Sequence, residues 1–102
     1  MKYVTVAQPR YSGTPGENRA MMKNLQEVFT KWEAPKEITF LQFVERIDGQ
    51  GAFIVYECDD PAIVAEVANG WAPWVDQIVH PVIDVEDSTA ATQKAIDWHD
   101  SL

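Results

Sequence analysis

Cysteine occurs once in the 102 residues, as Cys58. A single thiol closes no internal disulfide and falls short of any zinc-ligand set, so neither kind of staple is expected. No uninterrupted apolar run approaches the roughly 20 residues that span a bilayer. Met1-Lys2-Tyr3-Val4 leads straight into strand-like sequence, without the apolar h-region of a secretory signal. Cytoplasmic residence is the expectation. Basic residues are scarce in the second half. Residues 57–102 hold one, Lys94, against ten acids, whereas residues 1–56 hold seven against six, and the whole chain carries a net charge of -8. Such a surface repels phosphate, which argues against nucleic acid and against anionic membranes as partners. The simplest reading of the acids is a solvated face that keeps the protein soluble.

Ligand-binding motifs are equally sparse. Gly13-Thr14-Pro15-Gly16 lacks the lysine of a phosphate loop, and neither His-x-x-x-His nor EF-hand spacing occurs. Asp59-Asp60 and Glu86-Asp87 stand at helix starts, where acids are expected on electrostatic grounds. No metal and no cofactor is called for. Cys58 lies beside acids that raise a thiol's pKa, so it is a poor nucleophile.

What is present is an ordinary globular composition, 46% hydrophobic and 24% charged, long enough for one domain over residues 1–102. No repeat or linker interrupts it. Lys2 to Gln8 is β-rich and stops at Pro9. Thr14-Pro15-Gly16-Glu17 reads as a capping box with proline at the first helical position. Met21, Met22, Leu25, Val28, Phe29 and Trp32 then recur at helical spacing, predicting a helix from about Pro15 to Glu33, ended before Pro35. Ile38–Ile47 and Ala52–Cys58 form a hairpin around Asp48-Gly49-Gln50-Gly51, its register open by one residue. Asp60-Pro61 starts a second helix whose buried stripe is Ile63, Val64, Val67 and Ala68, with a break at Gly70. Trp71–Asp76 reads as a further helical turn. Ile78 to Val85 is a strand placed at a sheet edge by Pro81, and Glu86-Asp87-Ser88 caps a last helix that buries Ala91, Ala95, Ile96 and Trp98.

Strand, helix, strand, strand, helix, strand is the split βαβ order of an α+β, ferredoxin-like fold: a four-stranded antiparallel sheet with both helices on one face, here with an added C-terminal helix. The other sheet face is left bare. A half-exposed sheet should alternate apolar and polar residues, yet both alternating sets of the hairpin read as apolar: Leu41, Phe43 and Ile47 against Ile38, Phe40 and Val44. Leaving five or six such side chains in water forgoes about 1.5–3 kcal/mol each. The sum, on the order of 10 kcal/mol, rivals the net stability of a domain. One short helix with two alanines is a small cover, so a second copy packed sheet to sheet, as an isologous homodimer, is the expected solution.

Cys58-Asp59-Asp60-Pro61, Trp71-Ala72-Pro73-Trp74-Val75-Asp76 and Pro81-Val82-Ile83-Asp84-Val85-Glu86 together resemble domain-of-unknown-function family 3303 over nearly the full length. That family is similar to the dimeric α/β-barrel superfamily, in which two ferredoxin-like sheets face each other. The resemblance thus implies the same dimer. It supplies no catalytic residue, and the superfamily's spread over oxygenases, isomerases, haem enzymes and non-catalytic proteins prevents fold alone from choosing.

Candidate ligand-binding residues are Tyr56, Trp71, Trp74 and His80. The two tryptophans, three apart around Pro73, could wall an apolar pocket, their indole N–H groups seeking a partner; alternatively they plug the end of the core. His80 shares a strand side with Ile78 and Val82 and could act as a base, although a lone histidine on an apolar face is more often structural. His99 suits the negative end of the last helix. Tyr56 and Glu57 point to opposite faces; under a two-residue loop Glu57 would sit opposite Gln42, where burial would raise its pKa. Two functions compete. The favoured one is a non-catalytic dimeric module that binds a small, mostly apolar molecule or simply assembles. The alternative is a cofactor-independent enzyme of oxygenase or isomerase type, drawing on His80, Glu57, Tyr56 and Tyr11.

Overall fold

The computed structural model describes all residues, Met1–Leu102. Its elements are β1 (Lys2–Pro9), α1 (Pro15–Lys31), β2 (Thr39–Glu45), β3 (Ala52–Glu57), α2 (Pro61–Trp71), β4 (Val75–Val82) and α3 (Val85–Asp100). The strands form one antiparallel sheet in the order β2-β3-β1-β4. β1 and β3 are central and the proline-bearing β4 is an edge. The fold is ferredoxin-like α+β with a C-terminal helix.

The helix starts follow from their capping residues. Thr14 Oγ1 accepts the Glu17 N–H at 3.2 Å and the Thr14 N–H donates to Glu17 Oε1 at 3.2 Å. Each satisfies a backbone donor that α1 would otherwise leave free. The Thr14 amide first, and the Thr14 hydroxyl after it, hold the Glu17 carboxyl below its ordinary range. Asp60 Oδ1 accepts the Ala62 N–H at 2.9 Å and Pro61 occupies the first position of α2. Gly70 lies inside α2, which runs on to Trp71.

β4 begins and ends three residues before the expected bounds. Pro9 stays in the ladder opposite Val75, and the Arg10 N–H donates to the Trp74 carbonyl at 3.0 Å. This long β1 draws residues 75–77 into the sheet, Val75 and Asp76 among them where a helical turn was expected. In the hairpin, a register shift between Phe40 and Gln42 inserts one extra residue in β2. Because side chains alternate with period two, that bulge changes which residues share a face. Phe40 and Phe43 consequently lie on the same side of the sheet, opposite Tyr56 and Ile54, while Gln42 and Val44 face the other way. Glu57 pairs with Thr39 and Lys2, so its expected pairing with Gln42 is incorrect. The turn residue Gly49 takes φ 71°, a conformation glycine adopts without steric cost.

Burial is concentrated at the α2 side. Tyr3, Ile38, Tyr56, Cys58 and Val64 form the core, with Ile54, Ile63, Val67 and Val79 packed around it and Thr5 as its buried polar residue. α3 contributes nothing to it. Every residue of that helix is exposed, Trp98 included, contrary to the expected buried side of Ala91, Ala95, Ile96 and Trp98. No other helix or strand packs against it. Its start is fixed by Asp84, whose carboxylate takes Lys2 Nζ at 2.6 Å and makes no cap bond to the helix.

The opposite sheet face carries Val4 and Val6 of β1, Phe53 and Val55 of β3, Val44 of β2 and Ile78 of β4. Lys2, Glu57 and Thr39 form one polar end of it. No helix of the chain is long and apolar enough to cross a membrane.

Candidate functional site

Between α1, α2 and the sheet lies an open cavity of about 600 Å³. It exists because α1 is held off the sheet by large side chains. Phe29 near the end of α1 and Trp32, its extended C-cap residue, meet β2 and the end of α2, with Phe29 still 49% exposed. Phe29 lies edge-on to Phe43 with ring centroids 5.8 Å apart and tilted against Trp71 at 6.1 Å. Trp32 is edge-on to Phe40 at 6.4 Å and to Trp71 at 5.4 Å. Phe40 continues to Phe43 and Tyr56, and Tyr56 stacks on Tyr3 at 5.7 Å. Offset and edge-to-face contacts at these separations are favourable, about 0.5–1.5 kcal/mol each beyond their area burial. The rings form one connected wall.

A buried polar pair sits in the cavity floor. Thr5 Oγ1 and the Tyr56 hydroxyl share a buried hydrogen bond at 2.9 Å. Burial pushes the Tyr56 phenol above its ordinary pKa of 10.0. At neutral pH the hydroxyl therefore keeps its proton, and the pair offers a ligand a neutral donor or acceptor. Tyr11 and Glu45 reach the cavity from a loop and from β2. Gln77 also lines it, with its amide held by the Ala68 carbonyl.

The four candidate residues divide. Tyr56 and Trp71 line the cavity. Trp74 stacks edge-on against Trp71 at 5.9 Å, but its indole N–H is taken by Asn24 Oδ1 of α1 at 2.7 Å. It ties α1 to the start of β4 and is not among the lining residues. His80 is exposed on the opposite sheet face, beside Val4 in the ladder. Glu57 is exposed on that face too, so the acid–base candidates never meet across the cavity. His99 stacks on Trp98 in α3, remote from the lining residues. Cys58 is buried, its thiol directed to the Asp60 carbonyl at 3.3 Å. The wall rings Phe29, Trp32, Phe40 and Phe43 were not among the expected site residues. The available signal was the inward pair Phe29 and Trp32, obscured by the bulge that brings Phe40 and Phe43 to the same side.

A ferredoxin-like domain with an aromatic-lined space between its helices and sheet is the class of protein that this geometry defines. Residues 1–96 match the family model described as domain of unknown function DUF3303, and the chain belongs to that family. No curated protein matches it.

Proposed function

We propose that the protein is a cytoplasmic, homodimeric, non-catalytic module that binds a small, mostly apolar molecule with a planar ring between α1 and the sheet. One observation carries this reading: the connected aromatic wall around a space of about 600 Å³, within the range of small-molecule sites. Flat apolar rings match such a wall, and the Thr5–Tyr56 hydroxyl pair supplies one polar anchor. Cytoplasmic residence rests on the single free thiol of Cys58, and the dimer on the unshielded sheet face. The alternative, a cofactor-independent enzyme, draws support from the open cavity. It is weakened by the position of His80 and Glu57 on the far side of the sheet and by a Tyr56 phenol that stays protonated.

Calorimetric titration with 2-naphthol, a flat bicyclic probe with one hydroxyl, tests the reading. Saturable binding of one probe per chain is expected, at least tenfold weaker in Trp71→Leu and unchanged in Lys94→Ala. No saturable heat up to the solubility of the probe overturns it. Turnover of the probe under air would favour the enzyme.

A further inference from the structure

The chain is not closed on itself. Its radius of gyration is 17.9 Å and its longest extent 62 Å, against about 13 Å for the radius of a compact domain of this length. It exposes 7606 Å², whereas a compact monomer of 11.5 kDa exposes about 5,800 Å². The excess of about 1,800 Å² exceeds the roughly 800 Å² each partner contributes to a standard interface and falls in the obligate-dimer class. Three features contribute to that excess: the bare sheet face, α3, and α1, which has no buried residue.

α3 is built to lie on something. At 100° per residue, Ala91, Ala95 and Trp98 align along one side, continued by Leu102 and flanked by Asp87 and Lys94 at one margin, while Val85 and Ile96 lie about 120–140° round from Ala91. Glu86, Gln93, Asp97 and Asp100 fall on the other side. Val85 is 76% exposed and Trp98 61%. The helix cannot simply fold back onto its own sheet. Its connector to β4 is two residues, Ile83 and Asp84, with no glycine, and Asp84 is extended (φ -67°, ψ 153°) and pinned by Lys2. Short, stiff connectors favour exchange of an element between copies.

We infer that α3 is an exchanged arm: the Ala91–Ala95–Trp98 side of one copy seats on the apolar sheet surface of a second copy around Leu41, Val44 and Phe53, and the partner reciprocates. This rests on the homodimer proposed above and says what completes it. The acidic side of each arm stays in water. Leu41, Val44 and Phe53 are each 43–49% exposed in the isolated chain, and the arm, about 24 Å long at 1.5 Å per residue, is long enough to cover them.

The experiment uses the full chain. Isotopically heavy chain carrying Trp98→p-benzoylphenylalanine is mixed with excess light wild-type chain, allowed to exchange, and irradiated. Expected are heavy–light linked pairs whose attachment maps by mass spectrometry to β2 and β3. In parallel, Ala95→Asp is expected to weaken the dimer at least tenfold in sedimentation equilibrium. The melting of the monomer should not change, since α3 packs on no other element. A wild-type chain that remains monomeric overturns both dimer and arm. A dimer that yields only intrachain links or none, or that Ala95→Asp leaves intact, overturns the arm and leaves the dimer standing.

Discussion

The Thr5–Tyr56 hydroxyl pair offers a quantitative test of how the cavity floor is held. Tyr56→Phe deletes one hydroxyl while keeping the ring that stacks on Tyr3. It strands the Thr5 hydroxyl at 5% exposure, and an unpaired buried polar group costs about 1–3 kcal/mol. Thr5→Val strands the Tyr56 hydroxyl and should cost the same. In the double variant neither group remains to be satisfied, so the loss falls to about 1 kcal/mol, the net worth of one hydrogen bond. The coupling is thus about 1–5 kcal/mol. Urea unfolding reads it directly: with a slope of about 1–3 kcal/mol per molar, each single variant lowers the midpoint by on the order of 1 M. Chain concentration must be fixed, because self-association alters apparent stability. A Tyr56→Phe protein as stable as wild type, or a double variant whose loss equals the sum of the singles, would falsify the account. The same pair sets an alkaline signature. Since burial raises the Tyr56 pKa above 10.0, the unfolded chain releases that proton first. The native state then holds more protons, and stability falls as pH climbs past 10. Tyr56→Phe should flatten that part of the pH profile.

Gly51 starts the step from the hairpin turn into β3, and a Cβ there would stand 2.8 Å from the Ala7 carbonyl oxygen. Backbone must shift to admit it, so Gly51→Ala should lose about 1–3 kcal/mol in the same urea assay; wild-type stability would show that the two strands are not so closely apposed. At acid pH the capping box of α1 provides a second check. Glu17 has a lowered pKa, so its contribution is present above the ordinary value of 4.5 and is lost as pH falls through the lowered one. Helical circular dichroism should fall there in wild type, less so in Glu17→Gln, which has no carboxyl at that place to protonate; equal pH profiles would sink the cap argument.

Much of the architecture was legible because it rests on local signals. The capping box at Thr14, the Asp60-Pro61 start and Pro81 at an edge each act within a few residues of themselves. The hairpin was less legible. Its glycines left two registers open, and the bulge at Phe40 to Gln42 depends on how β2 lies against β3, which periodicity alone does not encode. That one residue decides whether Phe43 faces the helices, and with it whether the aromatic wall can be seen. Trp74 was expected to offer its indole to a ligand; the acceptor is Asn24, 50 residues away on α1, a pairing available only once the helices are docked. The expected buried side of α3, Ala91, Ala95, Ile96 and Trp98, is exposed instead; apolar spacing names no neighbour, and the helix does not find one within its own chain.

The division of the four tryptophans has a practical consequence for spectroscopy. Trp32, Trp71 and Trp74 share one ring cluster and are close enough to exchange excitation, so they emit together from a half-buried setting. Trp98 stands apart in water on the C-terminal helix. One emission spectrum therefore carries two separable reporters: a blue component that answers to whatever enters between helices and sheet, and a red one that answers to whatever the last helix touches.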